Sequence, residues 1–251
     1  MNKDKIFNLF SLTRKTVIIT CGSGKLGTEY RKILTEAGAN VVSFDIADGI
    51  DITNPEMVKK AVEKIYKKYG KIDVLINNAA MTDFDGFKDA ERFAPYEDFQ
   101  LKIWEKEIKV GLTGALICSQ AVIPHMKKAK SGVIVNISST YGIVAPDHRI
   151  YGKKKFKAVT YPVIKSGILG FTRTLASYLA PYNIRVNALV PGGVKTGYLD
   201  EQFEKGYSFR TMLGRMAKKD DYNGAILFLC SDASNYMTGS SLIVDGGWTA
   251  W

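Results

Sequence analysis

Residues 151–165, YGKKKFKAVTYPVIK, carry the pattern Tyr-x-x-x-Lys twice, as Tyr151 with Lys155 and as Tyr161 with Lys165. On a helix, positions i and i+4 share one face, so either lysine could stand beside its tyrosine. A free tyrosine has a pKa of about 10 and is a poor base at neutral pH. A neighbouring ammonium favours the phenolate. The pair can then take a proton from an alcohol or return one to a developing alkoxide. The two copies differ in their surroundings. From Tyr161, the residues Ile164, Ile168, Phe171, Leu175 and Leu179 recur at helical spacing and form one apolar stripe. Around Tyr151 there is no stripe: Gly152 follows, and four of residues 153–157 are lysines. The pattern assigns the chemistry to Tyr161 and Lys165. It reads 146–158 as an inserted loop, too charged and loose to hold a proton donor, and Tyr151–Lys155 as a coincidence.

The elements that must position this helix can be read along the chain. TVIIT (16–20) and NVVSF (40–44) read as strands, with a helix ending at Gly38 between them. FDIADGIDIT leaves almost no room for a second helix before a further short strand. PEMVKKAVEKIYKKYG (55–70) is an amphipathic helix with Pro at its start and Gly at its end. IDVLIN (72–77), GVIVNIS (132–138), IRVNALV (184–190) and SLIVD (241–245) are strands, and 98–128 is a long helix bent near Gly111 and Gly114. Alternating apolar strands and helices imply an α/β fold: one doubly wound, Rossmann-type domain over 1–251, its mostly parallel sheet covered by helices on both faces. Ligands in such sheets bind beyond the carboxyl ends of the strands, at the topological switch.

Composition narrows the function. The chain has 251 residues, 46% hydrophobic, enough for one sizeable core. The net charge of +10 would suit nucleic acid, but the lysines fall in pairs on helix faces and no recognition motif accompanies them. The N-terminal residues hold neither a signal peptide nor a membrane span, so a cytoplasmic protein without a membrane partner is expected. Cys21, Cys118 and Cys230 are far apart and lack metal-ligand spacing, so no metal is expected and the thiols should be reduced.

Small or polar residues follow the strands. After the first comes TCGSGKLG, whose Gly22, Ser23, Gly24, Lys25, Leu26 and Gly27 lie between strand and helix. Glycines there let backbone N–H groups approach a pyrophosphate at the helix N-terminus. Asp45 closes the second strand, 18 residues after Gly27, where a carboxylate can take both hydroxyls of an adenosine ribose and repel a 2′-phosphate. That favours NAD over NADP, while Lys25 argues mildly the other way. Asn77-Asn78-Ala79-Ala80, Ser138-Ser139 and Pro191-Gly192-Gly193-Val194-Lys195-Thr196 follow later strands and extend the same edge.

In combination, the glycine loop, Asp51-Ile52, NNAA, NISS, YPVIKSG, IRVNALVPGG and FLCSDASNYMTGSSLIVDGG span nearly the whole chain. With these the chain resembles the short-chain dehydrogenase/reductase family. The resemblance implies hydride transfer between NAD(P) and an alcohol/ketone pair. It places Asp51 and Ile52 beside the adenine, Asn78 and Ala79 at the adenine ribose, and Ala80, Pro191, Gly192, Val194 and Thr196 along the cofactor, the last two at the nicotinamide amide. Tyr161 would be the acid/base and Lys165 would also grip the nicotinamide ribose. Ser139, followed by Thr140, Tyr141 and Gly142, matches the family's catalytic serine better than Ser138. Spacing from Ser139 alone would select Tyr151, twelve residues on; the helical stripe selects Tyr161.

Two positions depart from the family pattern. Cys21 stands where relatives have Gly, and Gly111 in KVGLTG stands where they carry an Asn that holds a relay water. Gly111 favours a rival of another class, an NAD-binding scaffold with weak or no turnover. Among enzymes the rival is a ketoacyl carrier-protein reductase, which would suit the basic charge. The insertion after strand five, the missing helix after strand two and the ending VDGGWTAW most resemble sugar-modifying members from bacterial surface-glycan and flagellin-glycan pathways. The insertion's His148, Arg149, Lys153, Lys154, Lys155 and Lys157, with Arg210 and Arg215 from a lid after strand six, are expected to attract an anionic sugar derivative. Wide apolar helix faces predict a homodimer or homotetramer.

Overall fold

The structure is a computed structural model and describes residues 3–81, 89–152, 155–195, 197 and 200–251. Six strands form one sheet: β1 (Thr16–Thr20), β2 (Asn40–Phe44), β3 (Val74–Asn77), β4 (Gly132–Ile137), β5 (Ile184–Pro191) and β6 (Ser241–Val244). Their spatial order is β2-β1-β3-β4-β5-β6, and every neighbouring pair is parallel. The helices are α1 (Lys3–Phe10), α2 (Gly27–Glu36), α3 (Pro55–Tyr69), α4 (Asp89–Arg92), α5 (Leu101–Ile108), α6 (Gly114–Ala129), α7 (Thr160–Leu179), α8 (Glu201–Arg210) and α9 (Asn223–Cys230).

Alternation along the strands divides the core into two layers. Ile18, Leu75 and Ile134 face α3, α6 and α7, packing with Val58, Val122 and Leu175. Val17, Ile19, Val74, Ile76 and Val135 face α2 and α9, packing with Tyr30, Leu34 and Ile226. Adjacent strand residues are thus buried on opposite faces, as a sheet covered on both sides requires. Each fully buried Ile or Leu contributes about 1.5–3 kcal/mol. Among the described residues no helix is long and apolar enough to cross a membrane.

The chain leaves β1 for β2 on one side and returns through α3 to β3 on the other, so the switch point lies between β1 and β3. The expected short strand near Asp51 and Ile52 does not form. Instead, Asp45 caps a 3-10 turn over Ile46–Asp48, Gly49 follows in the left-handed region at φ 74°, and turns lead to Asn54, the N-cap of α3. The strands after it are therefore the third to sixth of the sheet. The long helix breaks where expected. A π-helical turn over Lys109–Thr113 separates α5 from α6. A Cβ on Gly111 would lie 2.8 Å from Ile164 Cγ2, so glycine lets this turn pack directly on α7 beside Lys165. An asparagine side chain there would displace Ile164.

Polar contacts fix α7 to the sheet. The Asn77 amide donates to Asn136 Oδ1 at 2.8 Å, and the Asn136 amide to Thr172 Oγ1 of α7 at 2.9 Å. At the start of α7, Thr160 Oγ1 donates a hydrogen bond to Glu107 of α5. Glu107 is 3% exposed and pairs with Arg92 at 2.7 Å, while Arg92 also donates to the Met81 carbonyl after β3.

Candidate active site

The carboxyl ends of β1, β3, β4 and β5 open on a cleft of about 300 Å³. Its glycine loop is held from below. Thr20 Oγ1 accepts the N–H groups of Asn78 and Ala79, both at 2.9 Å. The Asn78 amide donates to the carbonyls of Thr20 and Cys21, both at 3.1 Å. Asn78 therefore spends its side chain on the loop. Gly24, Lys25, Leu26, Asn78 and Ala80 line the cleft. Gly22 packs beneath, against Ser43, and a side chain on Gly27 would collide with the Cys21 carbonyl. Cys21 itself lies at φ 53°, a conformation that costs a non-glycine residue about 1 kcal/mol. Helix α2 begins without a side-chain cap, so its N-terminal field is available to an anion over the loop. This cradle fits a dinucleotide pyrophosphate.

Asp45 receives the N–H groups of Ser23 at 3.1 Å and Ala47 at 3.0 Å, which ties the end of β2 to the glycine loop. Asp51 turns its carboxylate onto the backbone and hydroxyl of Thr53 at 2.8 Å. Ile52 points inward and is 7% exposed, packing under Gly114, so only its backbone can face an adenine. Pro191, Gly192 and Val194 line the far wall. Thr196, Lys153 and Lys154 lie outside the described residues.

The two serines after β4 divide their work. Ser138 Oγ donates to the Lys165 carbonyl at 2.7 Å and docks α7. Ser139 lines the cleft, close enough to Tyr161 for its hydroxyl to act on the phenol. Lys165 is 4% exposed; its Nζ donates to the Ile137 carbonyl at 2.8 Å and lies 5.7 Å from the Tyr161 ring centre. Burial pushes the Tyr161 phenol up, and the Ser139 hydroxyl pulls it the other way. Burial, then the neighbouring Lys157 ammonium, push Lys165 down to about 8. Ser139, Tyr161 and Lys165 thus converge on one cleft, with a protonated phenol and a largely protonated amine at neutral pH.

The segment read as a loose insertion is built into the wall. A 3-10 turn over His148–Tyr151 brings Tyr151 to the cleft, where its hydroxyl donates to the Tyr141 hydroxyl at 3.2 Å. Its ring lies 5.0 Å from that of Phe203, and Trp248 stacks on Tyr207 at 4.0 Å. The Gly193 N–H donates to the Tyr207 hydroxyl at 2.6 Å. The three arginines of the expected basic cluster are spent on ion pairs. Asp147 takes both Arg149 at 2.8 Å and Arg210 at 2.9 Å, and Arg215 pairs with Asp221 at 2.5 Å. Lys155 is exposed, and only Lys157 among the described cations of this segment lines the cleft. Local sequence spacing does not point to Tyr141, Phe203, Tyr207 or Trp248. Tyr141 follows a strand end, a signal that could have found it; Phe203 and Tyr207 reach the cleft from α8, and Trp248 of the tail packs behind Tyr207, which no local spacing shows.

Comparison with known proteins agrees with this architecture. Residues 15–249 match a family model described as enoyl-(acyl carrier protein) reductase. A 3-oxoacyl-acyl-carrier-protein reductase of Thermotoga maritima is 34% identical, over 94% of this chain and 98% of its own. A short-chain dehydrogenase of Leptospira borgpetersenii, solved with bound NAD+, superposes with a TM-score of 0.84 at 32% identity, over 94% of this chain and 93% of its own. A gluconate 5-dehydrogenase of Burkholderia cenocepacia, solved with NADP and tartrate, superposes with a TM-score of 0.85 at 26% identity, over 98% and 99%.

Proposed function

The chain belongs to the short-chain dehydrogenase/reductase family and is an oxidoreductase; from that premise we propose that Tyr161 is the acid and base for interconverting a secondary alcohol and its ketone. The carrying observation is the convergence of Ser139, Tyr161 and Lys165 beside a glycine cradle. A bound nicotinamide supplies or accepts the hydride. Ser139 holds the substrate oxygen with its hydroxyl. Tyr161, protonated at rest, gives its proton to a carbonyl oxygen as negative charge develops there, and takes one back in the reverse direction. Lys165 holds its ammonium behind the phenol and favours the phenolate left after proton transfer. Gly111 leaves no side chain for a relay, so proton supply to Lys165 would run through backbone and solvent.

Gly22 to Gly27, Asn78, Ala80 and the Pro191 to Val194 wall would hold the dinucleotide. The Asp45 carboxylate, already at the glycine loop, supports NAD over NADP because it would repel a 2′-phosphate. The substrate we propose is compact and hydroxylated, a sugar derivative. The aromatic wall of Tyr151, Phe203 and Tyr207 and the modest cleft support this. A second reading, reduction of a ketoacyl group on a carrier protein, is favoured by the Thermotoga maritima relative. Self-association as a homodimer or homotetramer is supported by exposed Leu101, Leu116, Val163 and Tyr178 on α5, α6 and α7; a monomer by light scattering would remove it.

The deciding experiment follows NADH and NADPH oxidation with a panel of ketoses, sugar-acid ketones and acetoacetyl-pantetheine. Turnover of a ketose with NADH preferred is expected. Turnover of acetoacetyl-pantetheine alone would install the second reading, equal rates with both cofactors would remove the role given to Asp45, and no turnover with tight NADH binding would indicate a scaffold.

A further inference from the structure

Gly192, Gly193 and Val194 line the cleft, and behind them two phenols meet a single peptide unit. The Gly193 N–H donates to the Tyr207 hydroxyl at 2.6 Å, and the Tyr222 hydroxyl donates to the Gly192 carbonyl at 2.9 Å. That N–H and that carbonyl are the two polar ends of one peptide plane, which is rigid in itself. Tyr207 comes from α8, and Tyr222 closes a 3-10 turn over Lys219–Tyr222 that leads into α9. Tyr207 is 3% exposed and Tyr222 is fully buried. Burial pushes both phenols up, so Tyr222 keeps the proton that it donates.

The plane needs such holding. It joins two glycines, the residue type with the freest backbone. Neither has room for a side chain. A Cβ on Gly192 would lie 2.8 Å from Asp245 Cα, and one on Gly193 would lie 2.6 Å from the Tyr207 ring. Close approach from behind demands glycine here, and the phenols restore the rigidity that glycine gives up. The adjoining groups are held too. The Gly192 N–H donates to the Val244 carbonyl of β6, and the Ala217 N–H donates to the Gly193 carbonyl, both at 2.9 Å. The Tyr207 ring is itself fixed by its stack on Trp248.

Resting on the reading of the cleft as a dinucleotide site, we propose that Tyr207 and Tyr222 are positioning residues that fix the wall against which the nicotinamide ring lies. A dinucleotide with its pyrophosphate on the loop after β1 must carry its redox ring to Ser139 and Tyr161. The hydride and the proton go to the carbon and the oxygen of one carbonyl. Strand β5 lies just beyond β4 in that direction, while β2 lies on the opposite side of β1, so the β5 wall meets the ring and not the adenosine. Tyr222 is not among the described residues lining the cleft, so it acts on a nucleotide only through the Gly192 carbonyl.

Calorimetric titration of NADH, and separately of ADP-ribose, which lacks the nicotinamide ring, tests this without turnover. Tyr222→Phe removes one hydroxyl and keeps the ring. It should weaken NADH binding about fivefold to tenfold and leave ADP-ribose within about twofold. Tyr207→Phe keeps the stack on Trp248 and should show the same split; it carries the comparison alone if Tyr222→Phe fails to fold. Undiminished ADP-ribose binding also reports that the variant is folded. A merely structural role would lower the Tm of unfolding while moving both nucleotides together or neither. Either of those two results, in a wild type that binds NADH, would overturn the proposal. A wild type that binds neither nucleotide would remove the dinucleotide reading itself, and this proposal with it.

Discussion

Tyr161 and Lys165 stand in the first turns of a twenty-residue helix, whereas Tyr151 ends a single 3-10 turn and Lys155 lies beyond it, exposed. Gly152, at φ 84°, stops the helical turn before Lys155 can come round to the tyrosine. The same four-residue spacing therefore produces two different things. In the helix it produces a buried amine behind a phenol that faces the cleft. In the strap that carries Tyr151, the segment 146–158 read above as an insertion, it produces a wall residue, Tyr151, bonded to Tyr141, and a lysine left to solvent. Spacing becomes chemistry only where backbone and burial continue from one residue to the other. The lysine that reaches the Tyr161 ring from the strap is Lys157, which belongs to neither copy.

The sharpest way to break this comparison is to remove each hydroxyl. Tyr161→Phe should lower kcat by about a thousandfold, within the range of general acid–base catalysis, with NADH affinity by fluorescence titration unchanged. Tyr151→Phe loses one neutral hydrogen bond, about 1 kcal/mol, and should change kcat/KM about fivefold or less. If Tyr151→Phe were the more damaging, the assignment of the two copies would be reversed.

A second contrast lies in how the two segments are anchored. The helix start hangs on Glu107, which is 3% exposed and holds both Thr160 and Arg92. The strap hangs on Asp147, whose partner Arg149 is 82% exposed. Breaking a buried pair from one side costs far more than breaking an exposed one. Glu107→Ala should cost about 3 kcal/mol in urea unfolding, and Asp147→Ala about 1 kcal/mol or less. Equal losses would show that the strap is as firmly built as α7.

Much of this architecture is legible in the amino-acid sequence. The stripe from Ile164 to Leu179 marks α7, and the unbroken apolar run Val17-Ile18-Ile19 marks a buried strand, because burial imposes those patterns. The choice of Ser139 over Ser138 is readable only through a family resemblance; the structure adds the reason, since Ser138 is spent on the Lys165 carbonyl. Where sequence patterns mislead, the deciding contacts are long-range. Charge counting puts six cations in the strap as a cluster, but Asp147 reaches both Arg149 and Arg210, sixty-three residues from the latter. The looseness implied by four lysines leaves out Tyr96, whose ring packs against His148 and Phe156 of the strap. Helix α9, NGAILFLC, is nearly apolar all round and offers no period to detect.

The smallest contrast is electrostatic and concerns the two lysines of the pattern. Lys165 is buried beside Lys157 and is pushed down to about 8 from an ordinary value of 10.5. Between those values the unfolded chain binds a proton that the folded one has lost, so this group makes stability rise with pH, by up to about 1.4 kcal/mol per unit. Other groups act in the same range. The buried thiols of Cys118 and Cys230 are pushed up to about 12, so above pH 9 they withdraw stability as the unfolded chain ionises first. The raised tyrosines do likewise above pH 10. The window from pH 8 to 9 is therefore the clearest for Lys165, and a difference between proteins removes the rest. The unfolding free energy of the wild type minus that of Lys165→Met should climb from pH 8 upward, because methionine cannot titrate. Lys155, exposed in the strap, has no comparable burial. A flat line for Lys165→Met would mean its amine is not desolvated as the geometry requires, and the pair on α7 would lose its physical distinction from the pair in the strap.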